Sequence, residues 1–123
     1  MAQQPVGLTA YGGYIPRLRL QRKSVVQANA WVAPTFPGKG KGERSMANWD
    51  EDAVTMAVEA ARDLLGPEDD RSHVDALFFG STTMPFKDRL NSGIVSAALT
   101  LDENVRAVDV ASTQRAGTSA LLQ

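Results

Sequence analysis

Between Val105 and Leu122 the hydrophobic period of the chain changes. Val105, Val108 and Val110 make a β-branched strand pattern that breaks at Ser112-Thr113. A helical pattern follows, with Ala116, Gly117, Thr118, Ser119 and Ala120 crowding one turn. A strand feeding a small-residue helix through a tight turn is a building unit of layered α/β folds, because small side chains let the helix lie close on a sheet. The turn residues then sit at the positive end of a helix, where a nucleophile or an anion is favoured. Here the turn reads Thr113-Gln114-Arg115, and the 123 residues include no cysteine.

The same alternation extends upstream. Val74 to Phe79 reads as a buried strand running into Gly80-Ser81-Thr82-Thr83, and the stretch from Asp88 to Thr100 puts Leu90, Ile94, Val95, Ala98 and Leu99 on one helical face. Asn48 to Leu65 is the clearest element. Asn48 and Glu51 form a capping signature, Ala53, Met56, Ala57, Ala60 and Leu64 share an apolar face, and Gly66-Pro67 stops the helix. Val6 to Ile15 is read as a first strand ending at Pro16, with Leu18 and Leu20 extended beyond it. Ser24 then caps a short helix over Val25 to Trp31, and Pro34 to Gly42 is loop by composition. The order β, short α, α, β, α, β, α predicts an α/β layered fold, with helices flanking a mixed, mainly parallel sheet. The last helix runs into Gln123 in mid-pattern, which predicts a truncated chain and poor solubility of these residues alone.

Composition narrows the function classes. A formal net charge of −1 gives no global electrostatic case for nucleic acid or a membrane surface. No apolar run approaches membrane-spanning length, and Met-Ala-Gln-Gln-Pro is no signal peptide. Without cysteine there is no disulfide and no thiolate metal site, and a single histidine, His73, makes a His-based metal centre a poor expectation. At this length and with 43% hydrophobic residues the expectation is one soluble, cytoplasmic domain with a real core.

Four segments together resemble the thiolase superfamily, in the branch of 3-hydroxy-3-methylglutaryl-CoA synthase and its bacterial and archaeal relatives. Gly12-Gly13-Tyr14-Ile15-Pro16-Arg17-Leu18-Arg19-Leu20 is similar to the opening G-x-Y-I-P strand. Gly42-Glu43-Arg44 with Asn48-Trp49-Asp50-Glu51-Asp52 resembles the loop and helix start that follow. Phe79-Gly80-Ser81-Thr82 resembles the strand end that carries G-T-E, and Ala116-Gly117-Thr118-Ser119-Ala120-Leu121 the G-G-T-A-A-L nucleophile helix. The resemblance implies a thiolase-like layered fold of which residues 1–123 are the N-terminal portion, the C-terminal half being absent. It implies Claisen-type chemistry on acyl-CoA thioesters in lipid metabolism, with coenzyme A thioester as substrate, no bound cofactor and no metal. It also implies a homodimer of the complete protein, and for some relatives a small OB-fold/zinc-ribbon partner domain.

The resemblance registers Gln114 on the family's cysteine and Thr82 on its glutamate. An amide forms no acyl-thioester, and a threonine does not titrate near neutral pH. Three readings of the complete protein stay open. It is an aldolase-type or acyltransferase-like enzyme making or breaking carbon–carbon bonds without an acyl-enzyme, or Gln114 stabilises enolate charge as in decarboxylating ketosynthases, or it is a non-catalytic subunit. An acyl- or protein-binding module is the competing class, and the isolated 123 residues are expected to be inactive. Arg44, Arg115 and Gly117 are the candidate substrate-binding residues; for Arg115 the alternatives are an acidic or phosphate group and a surface salt bridge. Thr82 and Thr83 either line the site or satisfy local backbone groups. Arg17, Arg19, Arg22, Lys23, Lys39 and Lys41 either attract CoA phosphates or form a solvated basic face. Phe78, Phe79, Trp31 and Trp49 read as core or interface aromatics.

Overall fold

The computed structural model describes residues 6–35 and 40–123. Positions 36–39 of the expected Pro34–Gly42 loop, Lys39 among them, lie outside the described residues. The chain divides into two compact units: Ile15–Glu51, and Asp52–Gln123 together with the segment up to Tyr14. No helix among the described residues is long and apolar enough to cross a membrane.

The unit Ile15–Glu51 is built on strand β1 (Leu18–Gln21), helix α1 (Arg22–Ala28) and strand β2 (Glu43–Met46). β1 and β2 pair antiparallel, from Leu18 opposite Met46 to Gln21 opposite Glu43. Strand β2 went unread in the sequence because E-R-S-M is exposed throughout and has no apolar alternation. The first helix starts before the expected Ser24 cap. β1 hands straight into it at Arg22, whose N–H donates to the Gly42 carbonyl at 3.0 Å, so the start is tied to the approach to β2 and not to a side-chain cap. Asn29 closes the helix by donating from Nδ2 to the Val25 carbonyl at 2.7 Å. Trp31 and Trp49 are exposed and contribute nothing to a core within this unit.

The other unit holds helix α2 (Ala53–Leu65), strand β3 (Ala76–Gly80), helix α3 (Asn91–Ala98), strand β4 (Arg106–Val110) and helix α4 (Ala116–Leu121). β3 and β4 pair in parallel, Ala76 opposite Arg106 through Gly80 opposite Val110, as the β-α-β alternation required. Val54, Val58, Phe79, Val95 and Leu99 form its buried cluster. Phe78 and Val108, opposite each other, lie on the more open face.

Several boundaries differ from expectation for local reasons. Val6 to Ile15 forms no strand. At Gly12-Gly13 the backbone instead lies on α2: the Gly13 N–H donates to Asp63 Oδ2 at 2.9 Å, and a Cβ on Gly12 would stand 2.4 Å from the Leu64 nitrogen. Asn48 and Glu51 do bond to each other, Asn48 N–H to Glu51 Oε2 at 2.7 Å, but they close a turn and not the helix. The helix is capped by Asp52, which accepts from Val54 and Thr55 N–H at 2.8 and 2.9 Å while Thr55 Oγ1 accepts from Asp52 N–H at 2.8 Å. Its buried face centres on Val54 and Val58, with Ala53, Ala57 and Ala61 packed beside them; Leu64, assigned to that face, is exposed. Val54 and Val58, four residues apart, set that face, and Leu64 lies where the Gly12 segment meets the helix. The third helix starts at Asn91, not Asp88, and Leu90 is left half-exposed.

Candidate functional site

β3 and β4 end side by side. Gly80 and Val110 are their last paired residues, and the Ser81 N–H donates to the Val110 carbonyl at 3.1 Å. The two chains emerging from these ends, Ser81–Thr83 and Ala111–Gln114, therefore leave from neighbouring points. In parallel α/β sheets the carboxyl ends of the strands are where ligand crevices form.

The second chain turns back sharply. Ser112 takes the left-handed conformation at φ 71°, unusual for a residue with a side chain. Thr113 then accepts from the Arg115 N–H at its hydroxyl (3.2 Å) and from the Ala116 N–H at its carbonyl (3.0 Å), which folds residues 113–116 into a turn. Helix α4 begins at Ala116, with Arg115 as its N-cap. The first turn of α4 packs on the end of β3 because residue 80 is glycine. A Cβ there would meet the Ala116 carbonyl oxygen at 2.8 Å and Gly117 Cα at 3.0 Å.

This geometry brings the two central candidates together. Thr82 and Gln114 line one open hollow of about 230 Å³, with Ser112 and Thr113 completing its wall. Ser81 Oγ and Thr83 Oγ1 lie 3.4 Å apart, and Ser81 Oγ also accepts from the Thr83 N–H. The pair of alternatives offered for the threonines thus divides: Thr83 is engaged locally, whereas Thr82 has no hydrogen bond among the described residues. Gln114 likewise has none. One hydroxyl and one primary amide, both unspent, face the same space.

The remaining candidates fall elsewhere. Arg115 is exposed at the start of α4 and makes no ion pair among the described residues. Gly117 Cα lies close to Gly80, but a Cβ on Gly117 itself would meet nothing within 4 Å. Arg44 lies exposed on β2, opposite Leu20, in the other unit. His73 is exposed, with Nε2 3.4 Å from Asp70 Oδ2.

Beside the hollow lies a polar cluster that sequence reasoning missed. Asp109, on β4, accepts from the Ser92 N–H at Oδ1 (2.6 Å) and from the Asn91 N–H and Nδ2 at Oδ2 (2.8 and 2.9 Å). Asn91 and Ser92 are fully buried. Asn91 also donates to the Phe86 carbonyl at 2.9 Å and accepts from the Phe86 N–H at 3.1 Å. The carboxylate thus caps α3 from a neighbouring strand and holds the loop that precedes the helix. Partial desolvation pushes the Asp109 carboxyl up, but the hydrogen bonds from Asn91 and Ser92 outweigh it and hold the group below its ordinary value of 3.8. The signal in the sequence was an acid inside V-R-A-V-D-V and a polar pair opening an apolar helix.

No family model matches the chain. Among curated proteins it is similar to the hydroxymethylglutaryl-CoA synthase of Pyrococcus horikoshii, with 31% identity over 94% of this chain and 32% of that protein. The hydroxymethylglutaryl-CoA synthase of Caldivirga maquilingensis is 35% identical over 95% of this chain and 34% of its own length. The chain therefore spans about a third of the length of the curated relatives it matches. Among solved structures, the β-ketoacyl-[acyl carrier protein] synthase III of Thermus thermophilus superposes with a TM-score of 0.74 at 25% identity, over 96% of this chain and 37% of that one. An MvaS protein in complex with 3-hydroxy-3-methylglutaryl coenzyme A superposes with a TM-score of 0.77 at 23% identity, over 94% of this chain and 28% of that one. The fold is that of the thiolase-like α/β synthases. Within that class the chain is hydroxymethylglutaryl-CoA synthase-like.

Proposed function

We infer that the complete protein acts on acyl-CoA thioesters, making or breaking a carbon–carbon bond without a cysteine acyl-enzyme. In this reading residues 1–123 are the N-terminal part of one thiolase-like domain, Gln114 stands at the nucleophile position and Thr82 at the glutamate position. The observation that carries it is the convergence of the unspent Thr82 hydroxyl and Gln114 amide on one hollow at the carboxyl ends of β3 and β4. The similarity to a protein that binds 3-hydroxy-3-methylglutaryl coenzyme A supports the thioester class.

The chemistry follows from what these groups do. A carboxamide nitrogen is not a useful nucleophile, so no acyl group passes to residue 114. Its N–H, and the threonine O–H, are donors. Aimed at the thioester carbonyl oxygen, they stabilise the negative charge that gathers there when the α-carbon becomes enolate-like, whether by bond cleavage or by loss of a proton. Neither group moves a proton near neutral pH, so the acid–base role belongs to the histidine and its partner that the resemblance assigns to the C-terminal half. Coenzyme A thioester is substrate here, not cofactor. Homodimerisation and a small OB-fold/zinc-ribbon partner domain belong to the same proposal.

Intact-protein mass spectrometry of the full-length protein with acyl-CoA tests this. The expected result is an unchanged protein mass, with thioester binding and turnover retained, and Gln114→Ala lowering turnover by about a hundredfold. A covalent acyl adduct on the unaltered protein contradicts it. Thioester binding without any turnover selects the alternative, a non-catalytic thiolase-like subunit or acyl-binding module.

A further inference from the structure

Among the described residues, three other than glycine hold a left-handed backbone: Asp69, Thr100 and Ser112. Asp69 closes the single 3-10 turn Gly66–Glu68, and Thr100 follows the end of α3, its N–H donating to the Ala97 carbonyl at 3.0 Å. Both stand where a helical turn stops, the ordinary place for that conformation. Ser112 ends no helix. It lies between β4 and α4, two residues before Gln114, at φ 71°. The chain is fixed on both sides of it. The Val110 carbonyl accepts from the Ser81 N–H at 3.1 Å, and Thr113 is tied to the Arg115 and Ala116 N–H groups. The left-handed conformation therefore falls on residue 112, where glycine would adopt it without steric cost and a residue with a Cβ does not.

Nothing among the described residues offsets that cost. The Ser112 side chain is exposed, and its hydroxyl has no hydrogen bond among them. Ser112 and Thr82 together line the Gln114 hollow, and the same two residues also line an adjoining open hollow of about 400 Å³. Ser112 is thus a third free hydrogen-bonding side chain beside Thr82 and Gln114, on a backbone that glycine would suit better. Strained backbone of this kind gathers at binding and catalytic sites, where the side chain is kept for its contact with a ligand.

We propose that Ser112 is a substrate-contacting residue, its hydroxyl donating to the bound thioester group beside Gln114 and Thr82. The proposal rests on reading the Gln114 hollow as the thioester site. The test combines thermal melting with calorimetric binding of acetyl-CoA and free CoA, on the full-length protein and its Ser112→Gly, Ser112→Ala and Gln114→Ala variants. Ser112→Gly is expected to melt no lower than the native sequence, because glycine relieves the backbone. It is nevertheless expected to bind acetyl-CoA about fivefold more weakly, the scale of one hydrogen bond, with free CoA unchanged. Ser112→Ala keeps the Cβ and loses only the hydroxyl, and is expected to show the same loss of acetyl-CoA affinity. A lower melting midpoint in Ser112→Gly overturns the proposal, because the hydroxyl would then serve the fold. Unchanged acetyl-CoA affinity in Ser112→Ala overturns it too, as does an equal loss for acetyl-CoA and free CoA. Where Gln114→Ala still weakens acetyl-CoA, those results leave the thioester reading standing without Ser112. An acetyl-CoA affinity equal to that for free CoA, and unmoved by Gln114→Ala, removes both readings.

Discussion

The two ends of the β3–β4 pair carry opposite kinds of polarity. At the amino ends, a hollow of about 340 Å³ is lined by charged residues that include Arg71, Asp75 and Asp102. Two of these groups are already spent on near neighbours. Arg71 pairs with Asp69 at 2.6 Å and donates to the Leu99 carbonyl, and Asp102 accepts from the Asn104 N–H and amide. Ser72, also in the lining, donates its N–H and hydroxyl to Asp70. The hydrogen bonds from Ser72 hold the Asp70 carboxyl low, and those from Asn104 do the same for Asp102. At the carboxyl ends, by contrast, the Thr82 and Gln114 side chains carry no net charge, have no partner among the described residues and face one space. Charge density alone points to the amino ends, whereas the proposed site lies at the carboxyl ends. Unspent hydrogen-bonding capacity at the strand ends is the better marker, because a group already satisfied has little left to offer a ligand.

The sharpest way to break this contrast is to cut the support beneath the carboxyl end. Asp109→Ala leaves one of the two Asn91 amide hydrogens and two helix N–H groups without their acceptor in a buried place, and should cost about 2–4 kcal/mol in urea unfolding. A cost near zero would show that the cluster holds nothing. Gly80→Ala comes next. The added methyl meets the Ala116 carbonyl, so α4 must shift, at about 1–3 kcal/mol and with loss of thioester binding in the full-length protein. Retained stability and binding would mean that the approach of α4 to β3 is not needed.

A pH titration sharpens the comparison further. The Asp109 carboxyl is lower in the folded than in the unfolded chain, so its stabilisation is complete above the unfolded value. It is lost as the pH falls through the folded one. Melting followed from pH 6 down to about pH 2 should therefore drop more steeply for the native sequence than for Asp109→Asn. Parallel curves would remove Asp109 from the account. The smallest effect is expected at the other end: Asp102→Ala should leave the melting midpoint and thioester binding unchanged, since Asp102 is exposed and bonds only within its own turn.

What the chain reveals in its letters follows the range of the forces involved. The parallel pair and its helices were legible because Val105, Val108 and Val110, and then Ile94, Val95 and Leu99, repeat with the periods of strand and helix. The turn at Gln114 was legible because a β-branched run gives way abruptly to small residues. Strand β2 was not, since its pairing with β1 is carried by backbone and none of its side chains is buried. Nor was the opening segment, whose aromatic and β-branched residues suggest a strand while Gly12 and Gly13 seat it on α2. The Asp109 cap on α3 spans 17 and 18 residues of sequence, so no local pattern announces it.

A crystal structure of the full-length protein with a non-hydrolysable acyl-CoA thioester analogue tests the central claim most directly. The account predicts the analogue's carbonyl oxygen about 3 Å from both Gln114 Nε2 and Thr82 Oγ1, at the carboxyl ends of β3 and β4. A carbonyl seated elsewhere, with Gln114 turned away from it, would contradict the account.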